Sequence, residues 1–378
     1  MAPRLSWIIC CVILPVTAAA ADPGVTADTI RIGESAALSG PAAGLGTGMR
    51  IGLEAAFAEC AAAGGVHGRK PVLIARDDGY DPDRCVDCTL GLLNDDHVFA
   101  LAGYVGTPTA KVALPIIADQ QVPLVGIFSG AKLLRDPVLP NVFNLRASYD
   151  DETEALVAKL VAAGRHRIAV FYQNDAFGEA GLGGTIAALQ RRNLEVVAKD
   201  SFERNTVAVR TALATLEQAA PDAVIMVAPY QPVAAFLTEA EKSHFSADFA
   251  TLSFVGTENL IAAAGPAAEG VLISQVVPPP SDTSVPLVKA YVAALAAAHP
   301  DASPAYTSLE GYADGRLLLL GLDQAGDTPT RAGLRAALEA MHAVDLGGLM
   351  VTFSATDHQG SAQVFLSRIK NGKAVPEQ

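Results

Sequence analysis

The stretch IRIGESAA, Ile30–Ala37, decides the fold of this 378-residue chain. Its apolar run predicts a buried strand, which ends at the turn Ser39-Gly40-Pro41. Apolar residues then recur at helical spacing over Met49–Ala63, and Gly64-Gly65 ends that helix. The next strand is predicted at Val72–Ala75. A strand, a helix and a second strand in this order are typical of parallel sheets that are covered by helices on both faces.

The same alternation continues along most of the chain. Further strands are predicted at 98–102, 124–128, 168–172, 194–198, 223–227 and 250–255, with helices between them. The region 277–345 is almost purely helical, and two more strands close the chain at Leu349–Phe353 and Ala362–Ile369. Two sheets of ordinary size account for this number of strands better than one large sheet. The predicted fold class is therefore α/β, with two doubly wound parallel-sheet lobes.

The chain is expected to cross between these lobes about three times. The candidate crossings lie near Arg146–Tyr149, Val276–Pro280 and Leu346–Leu349. The stiff segment Pro278-Pro279-Pro280 suits an extended connector. The expected boundaries are a lobe I of residues 22–146 and 278–346, and a lobe II of residues 147–277 and 347–378.

Residues 1–21 are typical of a secretory signal peptide. Arg4 precedes an apolar run over Leu5–Ala21 that ends in four alanines, and cleavage is expected just before Asp22. Neither Cys10 nor Cys11 follows the small residue that a lipid-anchoring signal places before its cysteine. No other stretch has the roughly 18–20 apolar residues of a membrane helix. We therefore expect a soluble protein that is exported to the periplasm.

The composition excludes several classes of function. The formal net charge is −13, and it becomes −14 without the signal because Arg4 is the only charged residue there. Such an acidic chain does not suit nucleic acid or anionic lipid surfaces as partners. With 51% hydrophobic and 18% charged residues, the chain is not a disordered one.

Motifs of enzymes and cofactor sites are weak or missing in the sequence. Gly44–Gly48 (GLGTG) lacks the G-x-G-x-x-G spacing of a nucleotide-binding loop, and no G-x-S-x-G or G-K-[ST] motif occurs. The seven histidines are scattered, so no zinc site is predicted. Asp77-Asp78 suits a turn, and Asp357–Gly360 (DHQG) suits a hairpin turn between the two terminal strands. We expect no catalytic residue, no metal and no cofactor.

Three cysteines remain after removal of the signal. Cys85 and Cys88 form a C-x-x-C pair in the helix that Asp81-Pro82 opens. In an exported protein such a pair could be redox-active or form a short disulfide, but within a helix the disulfide geometry is strained. The sequence leaves two alternatives, a Cys85–Cys88 disulfide or buried free thiols. Cys60 is expected on a helix that covers the opposite face of the sheet, out of reach.

Short motifs follow one another in order along the chain: DTIRIG (28–33) with LSGP (38–41), GGVHGR (64–69) with DDG (77–79), GYVGTPT (103–109), YQNDAFG (172–178), FVGTE (254–258) and SLEGY (308–312). Together they resemble the periplasmic solute-binding proteins of the leucine/isoleucine/valine-binding type, over essentially the whole mature chain. The resemblance implies a type I periplasmic binding protein, which closes two lobes on a small-molecule ligand and delivers it to an inner-membrane ABC permease. We expect it to be a monomer and not an enzyme.

The resemblance also implies a set of ligand-binding residues in the loops after the strands, where open parallel sheets bind their ligands. Thr107, Ser129, Gly130 and Ala131 match the hydroxyl and N–H groups that hold a ligand carboxylate. Glu258 matches the carboxylate that holds a ligand ammonium group. Helix capping stays the alternative role for Thr107 and Ser129, and stabilisation of the helix dipole stays the alternative for Glu258.

Four larger residues are expected to line the same cleft, although each could instead belong to a lobe core: Leu45, Tyr104, Phe177 and Tyr230. Lys132 stands where the family often has threonine, and it could face an acidic ligand group or extend into solvent. The resulting apolar pocket suits a branched-chain or aromatic amino acid, or a related organic acid. The alternatives are a larger hydrophobic or lipid-like ligand, and a sensory receptor with the same fold.

Overall fold

The computed structural model describes residues 22–377, which form two lobes, each built around its own large sheet. The predicted signal segment, residues 1–21, lies outside the described residues, as does Gln378. None of the helices within residues 22–377 has the length and apolar character that crossing a membrane requires. The two sheet-centred lobes confirm the predicted fold class.

Lobe I begins with a regular alternation of strands and helices. These elements are β1 (Thr29–Ala36), α1 (Ala43–Ala62), β2 (Lys70–Asp77), α2 (Pro82–Asn94), β3 (Ala100–Ala102), α3 (Thr107–Asp119), β4 (Leu124–Val125) and β5 (Val142–Phe143). Their strands pair in parallel in the order β2-β1-β3-β4-β5. The register of β1 on β2 runs from Thr29 opposite Lys70 to Ala36 opposite Asp77, so the two strands of the opening βαβ unit lie side by side as predicted.

Helix α1 begins earlier than the helix predicted from the apolar spacing, and it includes the glycine-rich segment Gly44–Gly48. The glycines let this helix approach its neighbours closely. A Cβ atom on Gly46 would lie 2.1 Å from the Ala37 carbonyl oxygen, and one on Gly48 would lie 2.8 Å from the Thr307 side chain. The segment therefore forms the first turns of a packed helix instead of a loop.

Lobe II follows with a second alternation of helices and strands. These elements are α4 (Tyr149–Ala162), β6 (Ile168–Gln173), α5 (Ala176–Gln190), β7 (Lys199–Phe202), α6 (Arg210–Ala219), β8 (Ala223–Val227), α7 (Tyr230–Lys242), β9 (Asp248–Thr251), α8 (Thr257–Ala264) and β10 (Leu272–Gln275). The strands pair in parallel in the order β7-β6-β8-β9-β10.

The chain then returns to lobe I, where it adds α9 (Pro286–Ala298), α10 (Tyr306–Gln324), α11 (Arg331–Glu339) and a short hairpin of β11 (Val344–Asp345) and β12 (Met350–Val351). Val351 and Phe353 are buried in the same core as Ile32 of β1. This part of the chain lies with lobe I, whereas the sequence-based boundary assigned 347–378 to lobe II. The reason is the turn at Gly347-Gly348, where both φ angles are 104° and the chain folds β12 back onto β11.

The last two strands, β13 (Phe365–Lys370) and β14 (Lys373–Pro376), complete one edge of the lobe II sheet. Strand β13 runs antiparallel to β10, and β14 runs antiparallel to β13. The lobe II sheet is therefore mixed, whereas the predicted fold class has parallel-sheet lobes. The chain crosses between the lobes after β5, after β10, and between β12 and β13, so the third crossing follows Phe353 instead of lying near 346–349.

The segment Asp357–Gly360 belongs to this third crossing and is not the predicted hairpin turn between the terminal strands. It runs beside the first crossing, where the Asn144 N–H group donates to the His358 carbonyl at 2.9 Å. The His358 ring is buried and stacks on Phe143 with 4.0 Å between ring centroids. The prediction failed because β12 pairs with β11 and β13 pairs with β10 and β14, so the two strands that flank the segment never meet.

The start of α5 shows how a local sequence pattern brings a side chain to the space between the lobes. Asp175 caps the helix, and its Oδ1 atom accepts a hydrogen bond from the Phe177 N–H group at 2.9 Å. The next residue, Gly178, lies so close to β6 that a Cβ atom there would be 1.8 Å from the Gln173 carbonyl oxygen. The helix can leave the strand at this angle, and so present Phe177, only with glycine at position 178.

We predict that Gly178→Ala destabilises the protein by about 1–3 kcal/mol, because the added methyl group forces strand and helix apart. The matched control is Gly183→Ala in the same helix, where a Cβ atom meets nothing within 4 Å. That exposed substitution should be neutral or stabilise the helix by up to about 1 kcal/mol. Equilibrium urea denaturation measures both effects, and equal midpoints for the two variants would contradict the close approach described for Gly178.

Candidate functional site

The facing ends of the two lobes are in direct contact, so the cleft between them is closed in this structure. Several hydrogen bonds join lobe I to lobe II. Three of them are Gly44 N–H to the Tyr230 hydroxyl at 3.2 Å, Gln173 Nε2 to the Tyr80 hydroxyl at 3.1 Å, and Asn205 Nδ2 to the Gly79 carbonyl at 3.1 Å. The loops after the strands of both sheets therefore meet at one interface, where the sequence predicted the site.

The four lobe I residues expected at a ligand carboxylate lie together. The hydroxyl oxygens of Thr107 and Ser129 are 2.7 Å apart, and Ser129 Oγ accepts from the Ala131 N–H group at 3.2 Å. Thr107 opens α3, whose N-cap residue is Gly106, so the Thr107 side chain does not cap that helix. The Gly130 carbonyl accepts from the Tyr149 N–H group at 2.7 Å. A compact set of buried hydroxyl and amide groups results at the edge of lobe I.

Two other predicted positions point elsewhere. The Tyr104 hydroxyl lies 3.0 Å from Thr89 Oγ1, toward α2 in the interior of lobe I. Lys132 is exposed, and its Nζ atom is 3.2 Å from Asp136. The structure therefore brings neither side chain into the set formed by Thr107 and Ser129.

Glu258 lies in the first turn of α8, opposite the start of α10. One carboxylate oxygen accepts from the Tyr306 N–H group at 3.2 Å. Burial raises the pKa of Glu258 to about 7, and no Lys, Arg or His among the described residues forms an ion pair with it. Glu258 is partly buried, and a carboxylate that is largely removed from water is costly without a cationic partner. This position is therefore ready to accept a cation from elsewhere.

Leu45, Tyr230 and Phe177 all lie where the lobes touch. A Cβ atom on Gly256 would be 2.5 Å from Leu45 Cδ2, so Leu45 contacts the backbone of lobe II. The Tyr230 hydroxyl accepts from the N–H group of Gly44 across the interface. These three predicted residues thus form part of the wall between the lobes.

Several aromatic residues at the interface were not predicted from the sequence. Phe254 is central, with its ring centroid 4.4 Å from that of Phe177, 5.2 Å from Phe128 and 6.0 Å from Tyr80. Tyr149 lies 5.5 Å from Phe177 on the other side. Phe254 is the first residue of the FVGTE motif, four residues before Glu258. Its closeness in sequence to a predicted site residue was the signal that could have identified Phe254 as an interface residue. The rings come from both lobes and make the interface strongly apolar.

A buried cluster of charged residues lies next to this wall, where the chain crosses between the lobes. Arg146 is 1% exposed, and its guanidinium lies 3.3 Å from Glu152 in lobe II and 3.6 Å from Glu310 in lobe I. It also donates to the Ser253 hydroxyl and stacks over the Phe128 ring at 4.8 Å. Burial raises the pKa of Glu310 to about 7, although Arg146 acts in the opposite direction. The sequence contained no local pattern for this cluster, since its members are far apart along the chain.

Cys60, Cys85 and Cys88 are free thiols in the structure. Cys85 Sγ lies inside lobe I, 3.4 Å from the Ser35 hydroxyl, which donates to it. Burial raises the pKa of Cys85 to about 12, so this thiol is not a nucleophile at neutral pH. Of the two alternatives left open by the sequence, the structure has the thiols and not a Cys85–Cys88 disulfide. The described residues also contain no group of His, Cys, Asp or Glu that could hold a metal ion.

Comparison with known proteins places this geometry in a family. The family model described as "Periplasmic binding protein" matches residues 29–374. The Leu/Ile/Val-binding protein of Citrobacter freundii is 26% identical over 302 residues, which cover 80% of this chain and 81% of that protein. The leucine-, isoleucine-, valine-, threonine- and alanine-binding protein of Pseudomonas aeruginosa is 24% identical over 306 residues, or 80% of each chain.

A solved structure extends the match. The crystal structure of a possible leucine/isoleucine/valine-binding protein from Rhodopirellula baltica SH 1 is 37% identical, with a TM-score of 0.89 over 93% of this chain and 97% of that one. The resemblance predicted from the sequence motifs is confirmed. The chain belongs to the periplasmic binding proteins, and it is a two-lobed solute-binding protein of the Leu/Ile/Val-binding type.

Proposed function

We propose that this protein captures a branched-chain or aromatic amino acid, or a related organic acid, between its lobes and delivers it to an ABC permease. The observation that carries the proposal is the pairing of two unlike polar ends in an apolar interlobe cleft. Thr107, Ser129 and Ala131 supply hydroxyl and N–H groups at one end. Glu258 supplies a carboxylate without a counter-ion at the other. An amino acid carries the two complementary charges.

The carboxylate of the ligand binds to the lobe I loop. The hydroxyls of Thr107 and Ser129 bond to each other in the closed structure and can rotate to donate to a ligand oxygen instead. Hydrogen bonds to an ionised acceptor are roughly twice as strong as neutral ones. Exchange of the mutual hydroxyl bond for bonds to a carboxylate is therefore favourable.

The ammonium group of the ligand binds to Glu258. The ion pair offsets the desolvation of this carboxylate, and the Tyr306 N–H group holds the carboxylate in place. The ligand side chain then packs against the rings of Phe177, Phe254 and Tyr230. The names of the relatives from Citrobacter freundii and Pseudomonas aeruginosa support an aliphatic amino acid as the ligand.

The ligand acts by favouring the closed form. Lobe I contributes the carboxylate-binding groups and lobe II contributes Glu258, so a bound ligand joins the lobes and shifts the population toward closure. The permease would then recognise the closed protein. The family consists of solute-binding proteins and not of enzymes, and its location is the periplasm. Export through a signal peptide at residues 1–21 and a monomeric state are part of the proposal.

We predict that a thermal-shift panel will identify an amino acid or a small organic acid as the ligand. The panel contains L-leucine, L-isoleucine, L-valine, L-phenylalanine, benzoate and palmitate. A ligand present at 100 times its dissociation constant stabilises the folded protein by about 2.7 kcal/mol. Stabilisation by palmitate alone would show that the cleft takes a lipid-like ligand and would contradict the proposal.

We predict that Glu258→Gln weakens amino-acid binding by about 2–5 kcal/mol, the usual cost of removing one partner of a buried charge pair. Binding to the wild type should weaken as the pH falls below about 7, toward tenfold per pH unit, because protonated Glu258 no longer attracts the ammonium group. Binding near pH 7 should also release protons.

Isothermal titration calorimetry between pH 5.5 and 8, in buffers of different ionisation enthalpy, measures all three effects. The matched control is Glu241→Gln on the exposed side of α7, which should bind like the wild type at every pH. If Glu258→Gln retains both the wild-type affinity and its pH dependence, Glu258 does not hold the ammonium group.

A further inference from the structure

Tyr149 is held against the lobe I loop by its backbone and by its ring. It is the first residue of α4, and its N–H group donates to the Gly130 carbonyl at 2.7 Å. A Cβ atom at position 130 would lie 2.5 Å from Tyr149 Cδ1 and 2.9 Å from Cε1. The ring therefore lies against the loop that contains Ser129, and it can do so because residue 130 is glycine.

The same ring faces lobe II. Its centroid is 5.5 Å from that of Phe177 at the start of α5, and the residue is 1% exposed. Tyr149 thus lies between the two lobes, next to the hydroxyl pair of Thr107 and Ser129. The Tyr149 ring therefore lies in the cleft and contacts the lobe I loop, although the helix that carries it belongs to lobe II.

The Tyr149 hydroxyl donates no hydrogen bond to any of the described residues. Nearly all buried hydroxyls in folded proteins have a partner, because an unpaired one is costly. The Ser129 side chain and the Gly130 N–H group act on the hydroxyl oxygen as donors and lower its pKa, but burial outweighs them and raises the pKa of Tyr149 to about 12. The hydroxyl therefore keeps its proton at neutral pH and is available as a donor.

A buried arginine makes this end of the cleft favourable for an anion. Arg135 donates to the Ser129 carbonyl at 3.2 Å and to the Ala131 carbonyl at 3.3 Å, so it lies directly behind the loop. Burial lowers the pKa of Arg135 to about 10, which leaves it charged at neutral pH. Arg146, 5.9 Å from the Tyr149 ring centroid, is already paired with Glu152 and Glu310. The charge of Arg135 and the free donor of Tyr149 point to the same kind of ligand group.

We infer that Tyr149 is a ligand-binding residue, whose hydroxyl donates a hydrogen bond to the ligand carboxylate beside the hydroxyls of Thr107 and Ser129. This inference rests on the proposed function, since it assigns a further residue to the same cleft. The three hydroxyls then form one cradle for an acid group, and the charge of Arg135 behind it favours the acid over the corresponding amide. Tyr149 is in this way a specificity-determining residue for ligands with a free carboxylate.

The test compares Tyr149→Phe with the wild type for L-leucine and L-leucinamide, and for L-phenylalanine and its amide. We expect the variant to bind the acids about 10–100-fold more weakly, as for a lost hydrogen bond to a charged group, and to bind the amides within about threefold of the wild type. The control is Tyr312→Phe, whose hydroxyl bonds to Glu59 on lobe I. It should keep the wild-type ratio of acid to amide affinity.

A second measurement separates ligand binding from a structural role. Without ligand, Tyr149→Phe should melt at or above the wild-type temperature, because it removes an unpaired buried hydroxyl. A lower melting temperature, or an equal loss of affinity for acid and amide, would overturn the inference. Unchanged leucine binding by the variant would also overturn it while the proposed function stands. If the wild type binds none of the four compounds, the proposed amino-acid ligand is wrong and the assignment of Tyr149 fails with it.

Discussion

A buried arginine joins the two lobes from the inside. The Arg146 guanidinium lies in the first crossing, 3.3 Å from Glu152 in lobe II and 3.6 Å from Glu310 in lobe I. Moving a charge out of water costs several kcal/mol, so the arrangement is stable only while carboxylates from both lobes stay close to it. Arg146 therefore constrains how α4 of lobe II and α10 of lobe I lie relative to each other.

These two helices carry the two ends of the cleft. Helix α4 begins with Tyr149, which rests on the loop of Ser129, and α10 begins with Tyr306, whose N–H group holds Glu258. One end thus has hydroxyl donors with Arg135 behind them, and the other has a carboxylate. Burial raises the pKa values of both Glu258 and Glu310 to about 7, but only Glu310 has an arginine beside it. In the proposed complex, the ammonium group of an amino acid supplies the cation that Glu258 lacks.

The sequence predicted what local patterns determine and missed what long-range packing determines. Alternating strands and helices led to the two sheets, and the rule that ligands bind at strand ends led to Thr107 and Glu258. Tyr149 was predicted only as part of a crossing, since its contact with the loop at Gly130 depends on how the lobes fold together. Arg146 was missed for the same reason, because its carboxylate partners come from different lobes.

Close contacts near Glu258 hold the starts of α1 and α8 against each other. A Cβ atom on Gly44 would lie 2.3 Å from Asn259 Oδ1, and one on Gly256 would lie 2.5 Å from Leu45 Cδ2. In the proposed complex the ligand amine ends at Glu258, and the ligand side chain turns toward the aromatic rings that surround Phe254. Because those rings come from both lobes, an apolar side chain that packs among them favours the closed form.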